Sequence, residues 1–365
     1  MKIDLIAGAR PNFMKIASII DAIHAAQSEN KNIEYRLIHT GQHYDKNMSE
    51  NFFTQLGIPH PHVNLGAGGG SQSEQTAAIM IGYEKLLMTE KSDLCLVVGD
   101  VNSTMACSIV AQKLHLSVAH VEAGIRSGDW TMPEEINRLV TDAITNFFFT
   151  TTPEAGEILK KSGVTEDRIF WVGNTMIDTL LKHRNKFQKP PIWDELNLHK
   201  YEYLVITLHR PANVDEDEKL NVLIDELVSN SQGLPFIFPA HPRTAKILTK
   251  LGVDHENLHI IEPLGYLEFN YLVENARAVI TDSGGITEET TVMGIPCITL
   301  RNNTERPETV TIGTNELIGT DPASIKPAME LLFSGNWKKG GIPELWDGKA
   351  GQRIVNTLIS LHNFK

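Results

Sequence analysis

Apolar runs of strand length alternate with helix-like patterns along almost the whole chain, and that alternation points to parallel sheets wound with helices. In the first half the pattern predicts strands at Lys2–Ala7, Tyr35–His39, Leu94–Val98, Ser117–Val121 and Phe147–Thr150. Helices are expected near Phe13–Ala26, Tyr44–Leu56, Ser73–Met88, Asn102–Leu114 and Glu134–Thr145. A polar, proline-containing stretch, His183–Leu196, precedes a second series. Its strands are expected at Tyr203–Thr207, Pro235–Pro239, Leu258–Ile261, Ala278–Thr281 and Cys297–Leu300, with helices near Glu218–Asn230, Ala245–Leu251, Tyr266–Asn275 and Glu288–Met293. A chain of 365 residues is longer than one core usually serves. The fold class is therefore α/β with two Rossmann-like, doubly wound domains. They are expected at residues 1–175 and 176–348 with a linker near 175–200, and residues 349–365 form a helix that returns to the first domain.

Several classes are disfavoured. The start, MKIDLIAGARPN, suits a first strand rather than a signal peptide, and no apolar run approaches the roughly 20 residues that span a bilayer. Cys95, Cys107 and Cys297 are odd in number and lack metal-ligand spacing, so a reducing cytoplasm is expected and a disulfide framework is not. The formal net charge of −12 argues against general binding to nucleic acid or anionic membranes. The same charge repels any phosphorylated ligand, so a site for one needs its own cations and helix N-termini.

Ligands of open α/β sheets bind at the carboxyl ends of the strands, and the residues there are chemically rich. The first strand ends in Gly8-Ala9-Arg10-Pro11 with Lys15 on the following helix, an anion cradle or a plain turn with a solvated arginine. The strand Leu94–Val98 ends in Gly99-Asp100, where Asp100 is either a helix N-cap or a catalytic carboxylate. The next strand ends in His120-Val121-Glu122-Ala123-Gly124-Ile125-Arg126, and a further acidic segment, Pro133-Glu134-Glu135-Ile136-Asn137-Arg138, opens a helix. Paired glutamates suit a first helical turn on structural grounds alone, but three carboxylate segments at one sheet edge favour proton transfer. In the second half, His209-Arg210 and His241-Pro242-Arg243 follow adjacent strands, each joining a titratable ring to a guanidinium. The strongest local signal is Thr281-Asp282-Ser283-Gly284-Gly285, followed by Glu288 and Glu289. Glycines there let backbone N–H groups approach a pyrophosphate, and the glutamates suit ribose hydroxyls. Arg306, in Asn302-Asn303-Thr304-Glu305-Arg306-Pro307-Glu308, adds positive charge or pairs with Glu305 or Glu308.

On these segments, together with GARPNFMK at 8–15, GDVNST at 99–104, GNTMID at 173–178 and LHRPAN at 208–213, the chain resembles the non-hydrolysing UDP-N-acetylglucosamine 2-epimerases over essentially its whole length. The resemblance implies a glycosyltransferase-B-like arrangement around a cleft, usually a homodimer, a UDP-sugar substrate, and neither nicotinamide nor metal as cofactor. It implies acid/base roles for Asp100, Glu122, Glu134 and His209. It implies nucleotide contacts for Ser283, Gly284, Gly285 and Glu289, with Arg10, Lys15, Arg126, Arg210, His241 and Arg306 around phosphates or sugar. The family's route is elimination of UDP across C1–C2 to a 2-acetamidoglucal and re-addition after protonation of the opposite C2 face.

Two departures stand out. Many bacterial members bind a second UDP-sugar as activator through a Gln-His-Arg segment and a nearby loop arginine. Here the segment reads Gln42-His43-Tyr44-Asp45, the loop Gly66–Ser73 has no arginine, and SGDWTM between Arg126 and Pro133 is short. Activation by a second substrate molecule is therefore expected to be absent or altered. A modified UDP-sugar, a diacetamido-uronic acid or a 6-deoxy sugar, stays open as substrate. A retaining glycosyltransferase of the same fold is the remaining alternative.

Overall fold

The structure, a computed structural model, describes residues 1–41, 53–214, 216–240 and 242–363. The first sheet holds β1 (Lys2–Ala7), β2 (Glu34–His39), β3 (Val63–Asn64), β4 (Leu94–Val98), β5 (Ser117–Val121), β6 (Phe147–Thr150) and β7 (Ile169–Trp171), in the order β3-β2-β1-β4-β5-β6-β7. The second holds β8 (Leu204–Thr207), β9 (Phe236–Pro239), β10 (Leu258–Ile261), β11 (Ala278–Thr281), β12 (Cys297–Thr299) and β13 (Asn315–Leu317), in the order β10-β9-β8-β11-β12-β13. All pairings are parallel. Both sheets thus wind outward in two directions from a central pair, β1/β4 in one and β8/β11 in the other. Those pairs are the topological switch points, where the loops on either side of the crevice diverge.

Helices cover both faces, which explains why the central strands are almost uninterrupted apolar runs. In the second sheet, Leu204, Ile206, Phe236, Phe238 and Ile280 are fully buried against Leu220, Leu223, Ile224 and Leu227 of the helix Asp217–Ser229. In the first, Cys95, Val97 and Val118 share a core with Tyr83 and Cys107. The three cysteines are buried thiols. No helix among the described residues is long and apolar enough to cross a membrane.

The chain divides into two compact units, Met1–Lys182 with Glu344–Lys365, and His183–Pro343. The first crossing falls later than the expected 175/176 junction because Thr175–His183 is a helix rather than a linker. Thr179 Oγ1 donates to the Met14 carbonyl, at 2.6 Å, and Asp178 accepts from the Ala350 and Gly351 N–H groups at 3.1 and 2.7 Å. Those bonds hold the start of the last helix, Ala350–Asn363, within the first unit. Gly351 has no room for a side chain, since a Cβ would lie 2.5 Å from the Ser18 carbonyl oxygen.

Candidate active site

In the first unit the chemistry gathers at the β1/β4 switch point and the neighbouring end of β5. The turn after β1 is fixed by Asn12, whose Oδ1 accepts from the Gly8 and Ala9 N–H groups at 3.2 and 2.9 Å while its Nδ2 donates to the Val98 carbonyl at 3.0 Å. One turn further along the helix Arg10–Ser28, Lys15 Nζ meets Glu122 Oε2 at 2.7 Å. The Glu122 side chain is only 4% exposed. Its backbone adopts φ of +69°, in the left-handed region that costs a residue with a Cβ about 1 kcal/mol or more, a strain typical of functional positions. Gly99 shares that geometry at φ +68°, and a Cβ on it would lie 3.5 Å from Lys15 Nζ and 4.0 Å from Glu122 Oε2. The Gly99-Asp100 turn therefore sits directly beside the Lys15–Glu122 pair.

Asp100 is not a helix cap. The helix Asn102–Lys113 begins at Val101 without a side-chain cap, and Asp100 instead accepts from Arg138 Nε at 3.0 Å. Arg138 also donates from Nη1 to Glu135 at 2.8 Å, and Asn137 donates to the Asp100 carbonyl at 2.8 Å. The two glutamates of the helix Pro133–Ile144 are thereby distinguished. Glu135 is buried and accepts from Ser127 N–H and Oγ and from Gly128 N–H at 2.9, 3.0 and 3.1 Å. Burial opposes its ionisation, but the Ser127 N–H, Arg138 and Gly128 bonds together hold its carboxyl below the usual range. Glu134 is half-buried and lies one turn before Arg138, on the same helix face. Glu135 organises the loop, and Glu134 remains for chemistry.

In the second unit, Asp282 follows β11 at the β8/β11 switch point and is completely buried. It accepts from the Arg210 N–H at 2.9 Å and from Asn213 Nδ2 at 3.0 Å, and it faces His209 Nδ1 at 2.8 Å. Burial pushes the Asp282 carboxyl up, but His209 outweighs it, with Asn213 and the Arg210 N–H, and the net shift is downward. An ionised Asp282 fixes the Nδ1–H tautomer of His209, whose side chain is 58% exposed, leaving Nε2 as the outward group. Ser283 is the N-cap of the helix Gly284–Met293 and does not cap it with its own side chain, so the first N–H groups are available to a ligand. Arg210 Nε donates to the Asp282 carbonyl at 2.9 Å beside that turn.

Other predicted contacts are already engaged inside the protein. Arg306 pairs with Glu288 at 2.6 Å, not with Glu305 or Glu308, and Glu305 belongs to Arg301 at 2.7 Å. Arg126 pairs with Asp142 at 2.7 Å. Glu289 is buried and accepts from Tyr266 Oη at 2.9 Å; burial pushes its carboxyl up to about 7, against the Tyr266 bond and aided by Glu288. Arg10 opens its helix, and His241 and Gln42–Asp45 lie outside the described residues. The sequence reading missed Asn12, Asp142, Asp282 and Arg138 as organisers. Of these, only Arg138 carried a local signal, its i,i+4 spacing from Glu134.

The family model described as UDP-N-acetylglucosamine 2-epimerase matches residues 25–359. The chain is 40% identical over 375 residues to the UDP-N-acetylglucosamine 2-epimerase of Methanocaldococcus jannaschii, covering 98% of this chain and 99% of that one. It is 39% identical over 366 residues to the UDP-2,3-diacetamido-2,3-dideoxy-D-glucuronate 2-epimerase of Pseudomonas aeruginosa, covering 99% and 100%. Among solved structures, the M. jannaschii UDP-GlcNAc 2-epimerase in complex with UDP-GlcNAc and UDP aligns with a TM-score of 0.88 at 41% identity, over 99% of this chain and 100% of that one. With these matches over nearly its full length, and two parallel sheets whose switch points carry the carboxylates and the glycine turn, the chain belongs to the UDP-N-acetylglucosamine 2-epimerase family.

Proposed function

We propose that the chain interconverts UDP-N-acetylglucosamine and UDP-N-acetylmannosamine by inverting C2. The observation that carries this reading is the pair of cation-held carboxylates, Lys15–Glu122 and Arg138–Asp100, flanking Gly99 at the carboxyl edge of β4 and β5. The C2 hydrogen beside an acetal is not acidic enough for simple enolate chemistry, so its removal is coupled to departure of UDP from C1. Asp100, Glu122 and Glu134 serve the proton transfers on the two faces of C2, each such step contributing about 10²–10⁴-fold. Lys15 and Arg138 favour the ionised, basic form of their partners. His209, oriented by Asp282, assists the oxygen that leaves C1. The Ser283–Gly285 N–H groups and Arg210 hold the departing pyrophosphate so that it can return, and Glu289 meets the ribose. Arg10, Arg126, His241 and Arg306 complete the charge around phosphates and sugar.

Incubation with UDP-N-acetylglucosamine and chromatography of the products tests the reading. A mixture of the two UDP epimers supports it, and free N-acetylmannosamine with UDP, or no UDP-sugar product, refutes it. The 39% identity to the P. aeruginosa enzyme favours a UDP-diacetamido-glucuronate as the second candidate substrate, and turnover of that compound alone would replace the first. Hyperbolic kinetics in UDP-N-acetylglucosamine are expected, because the loop 66–73 lacks the activator arginine. We further propose a cytoplasmic homodimer. Ile81 and Met88, 53% and 70% exposed on one face of the helix Gln72–Thr89, suit a self-contact. Light scattering gives the mass directly.

A further inference from the structure

One motif of the sequence has no part in the chemistry above: His120, two residues before Glu122, is fully buried, as nearly is its partner Asp142. His120 Nδ1 faces Asp142 Oδ1 at 2.7 Å, and His120 Nε2 faces the Gly99 carbonyl oxygen at 2.9 Å. A carbonyl only accepts, so Nε2 carries a proton and donates it to Gly99. Asp142 spans the other side of the site, accepting from the Gly124 N–H at 3.1 Å and pairing with Arg126 at 2.7 Å. Gly99 precedes Asp100, and Gly124 follows Glu122 by two residues. All three of Gly99, Glu122 and Gly124 hold positive φ, at +68°, +69° and +78°. Such conformations persist only where the surroundings over-determine them. Gly124 is also pressed against the next helix, where a Cβ would lie 2.3 Å from the Ala155 carbonyl oxygen.

We propose that the His120–Asp142 pair is a positioning device that locks both proton-transfer loops at once, setting Asp100 through the Gly99 carbonyl and Glu122 through the Gly124 N–H. The proposal rests on the reading that Asp100 and Glu122 move the C2 proton. Its cause is geometric: the left-handed turns after β4 and β5 have no ladder partner of their own on this side, and the buried ring supplies one bond to each strand end. Loss of that bond lets a carboxylate drift by a fraction of an ångström to an ångström, a displacement that costs on the order of 100-fold in rate. UDP affinity, which the second unit supplies, is left nearly unchanged.

Two substitutions separate the halves of the device. His120→Gln keeps an amide donor where Nε2 reaches Gly99, whereas His120→Asn keeps only the donor toward Asp142. Both are assayed for epimerisation with saturating and limiting UDP-sugar, at a temperature where their melting curves show them folded. The expected result is a kcat about 100-fold down for His120→Asn, with KM within about twofold, and recovery of about tenfold in His120→Gln. Equal losses in the two variants, a loss confined to KM, or a loss that follows thermal stability alone would overturn the proposal. Parallel assays of Asp100→Asn and Glu122→Gln keep the two claims apart. Full activity in those variants refutes the proton-transfer reading, while their inactivity beside unaffected His120 variants refutes only the positioning role.

Discussion

The two units solve the same problem, holding an anionic sugar nucleotide on an acidic protein, with different materials. In the first unit the switch point is built from side chains, each carboxylate gripped by a cation: Glu122 by Lys15 and Asp100 by Arg138. In the second unit the buried cations are already neutralised from within, Arg306 by Glu288 and Arg301 by Glu305. What remains for a phosphate there is backbone: the N–H groups of Ser283–Gly285, with Arg210 alongside. The difference teaches that charge in this fold is used for proton transfer in one half and for shaping a turn in the other. Substitutions in the first unit should therefore change kcat, and those in the second should change UDP affinity.

The largest effect expected is from Glu122→Gln or Asp100→Asn, each lowering kcat by about 10³–10⁴-fold, while calorimetric UDP affinity stays within about twofold. A fall in affinity instead would break the division between the units. The next concerns stability. Burial raises the Glu289 carboxyl from 4.5 to about 7, so the folded chain keeps a proton that the unfolded chain releases. That contribution is fully present below about pH 4.5 and is lost as pH rises through 7, with an upper magnitude on the order of 3 kcal/mol. Glu289→Gln should flatten the decline of stability between about pH 5 and 8 in denaturant titrations. The slope at lower pH should survive in that variant, because Asp178, raised by burial to about 6, has the same sign.

Asp282→Asn is the exception that sharpens the comparison. It lies in the second unit yet frees the His209 tautomer, so kcat should fall by about 100-fold as well as UDP affinity. An unchanged kcat would remove His209 from the chemistry. The smallest effect is Gly284→Ala. A Cβ there would touch Glu305 Oε2 and Arg301 Nη1 only at 3.9 and 4.0 Å, so the variant should fold normally. By standing between a pyrophosphate and the helix N-terminus, it should still weaken UDP by about tenfold. Normal affinity would place the phosphates elsewhere.

The parts of the molecule that were legible in its sequence share a physical cause. Strands at the sheet centres, such as Leu94–Val98 and Ala278–Thr281, are buried on both faces and so are apolar throughout. The edge strands Val63–Asn64, Ile169–Trp171 and Asn315–Leu317 have two or three residues and mixed burial, and no periodicity marks them. Asp100 and Glu122 were visible because each directly follows a central strand. Asp142 and Asp282 were not, since their partners lie 22 and 73 residues away and only the fold brings them together. Arg306 shows the opposite error: a cation near the right loop whose charge is consumed by Glu288, a pairing that sequence spacing does not disclose.

The central claim is that C2 loses its proton and regains one from solvent. Proton NMR of the purified chain with UDP-N-acetylglucosamine in D2O tests it directly. The account predicts a growing UDP-manno signal with deuterium at C2 of that product, followed by loss of the C2 proton from the gluco form as the mixture equilibrates. Epimerisation that retains the C2 proton in both forms would contradict it.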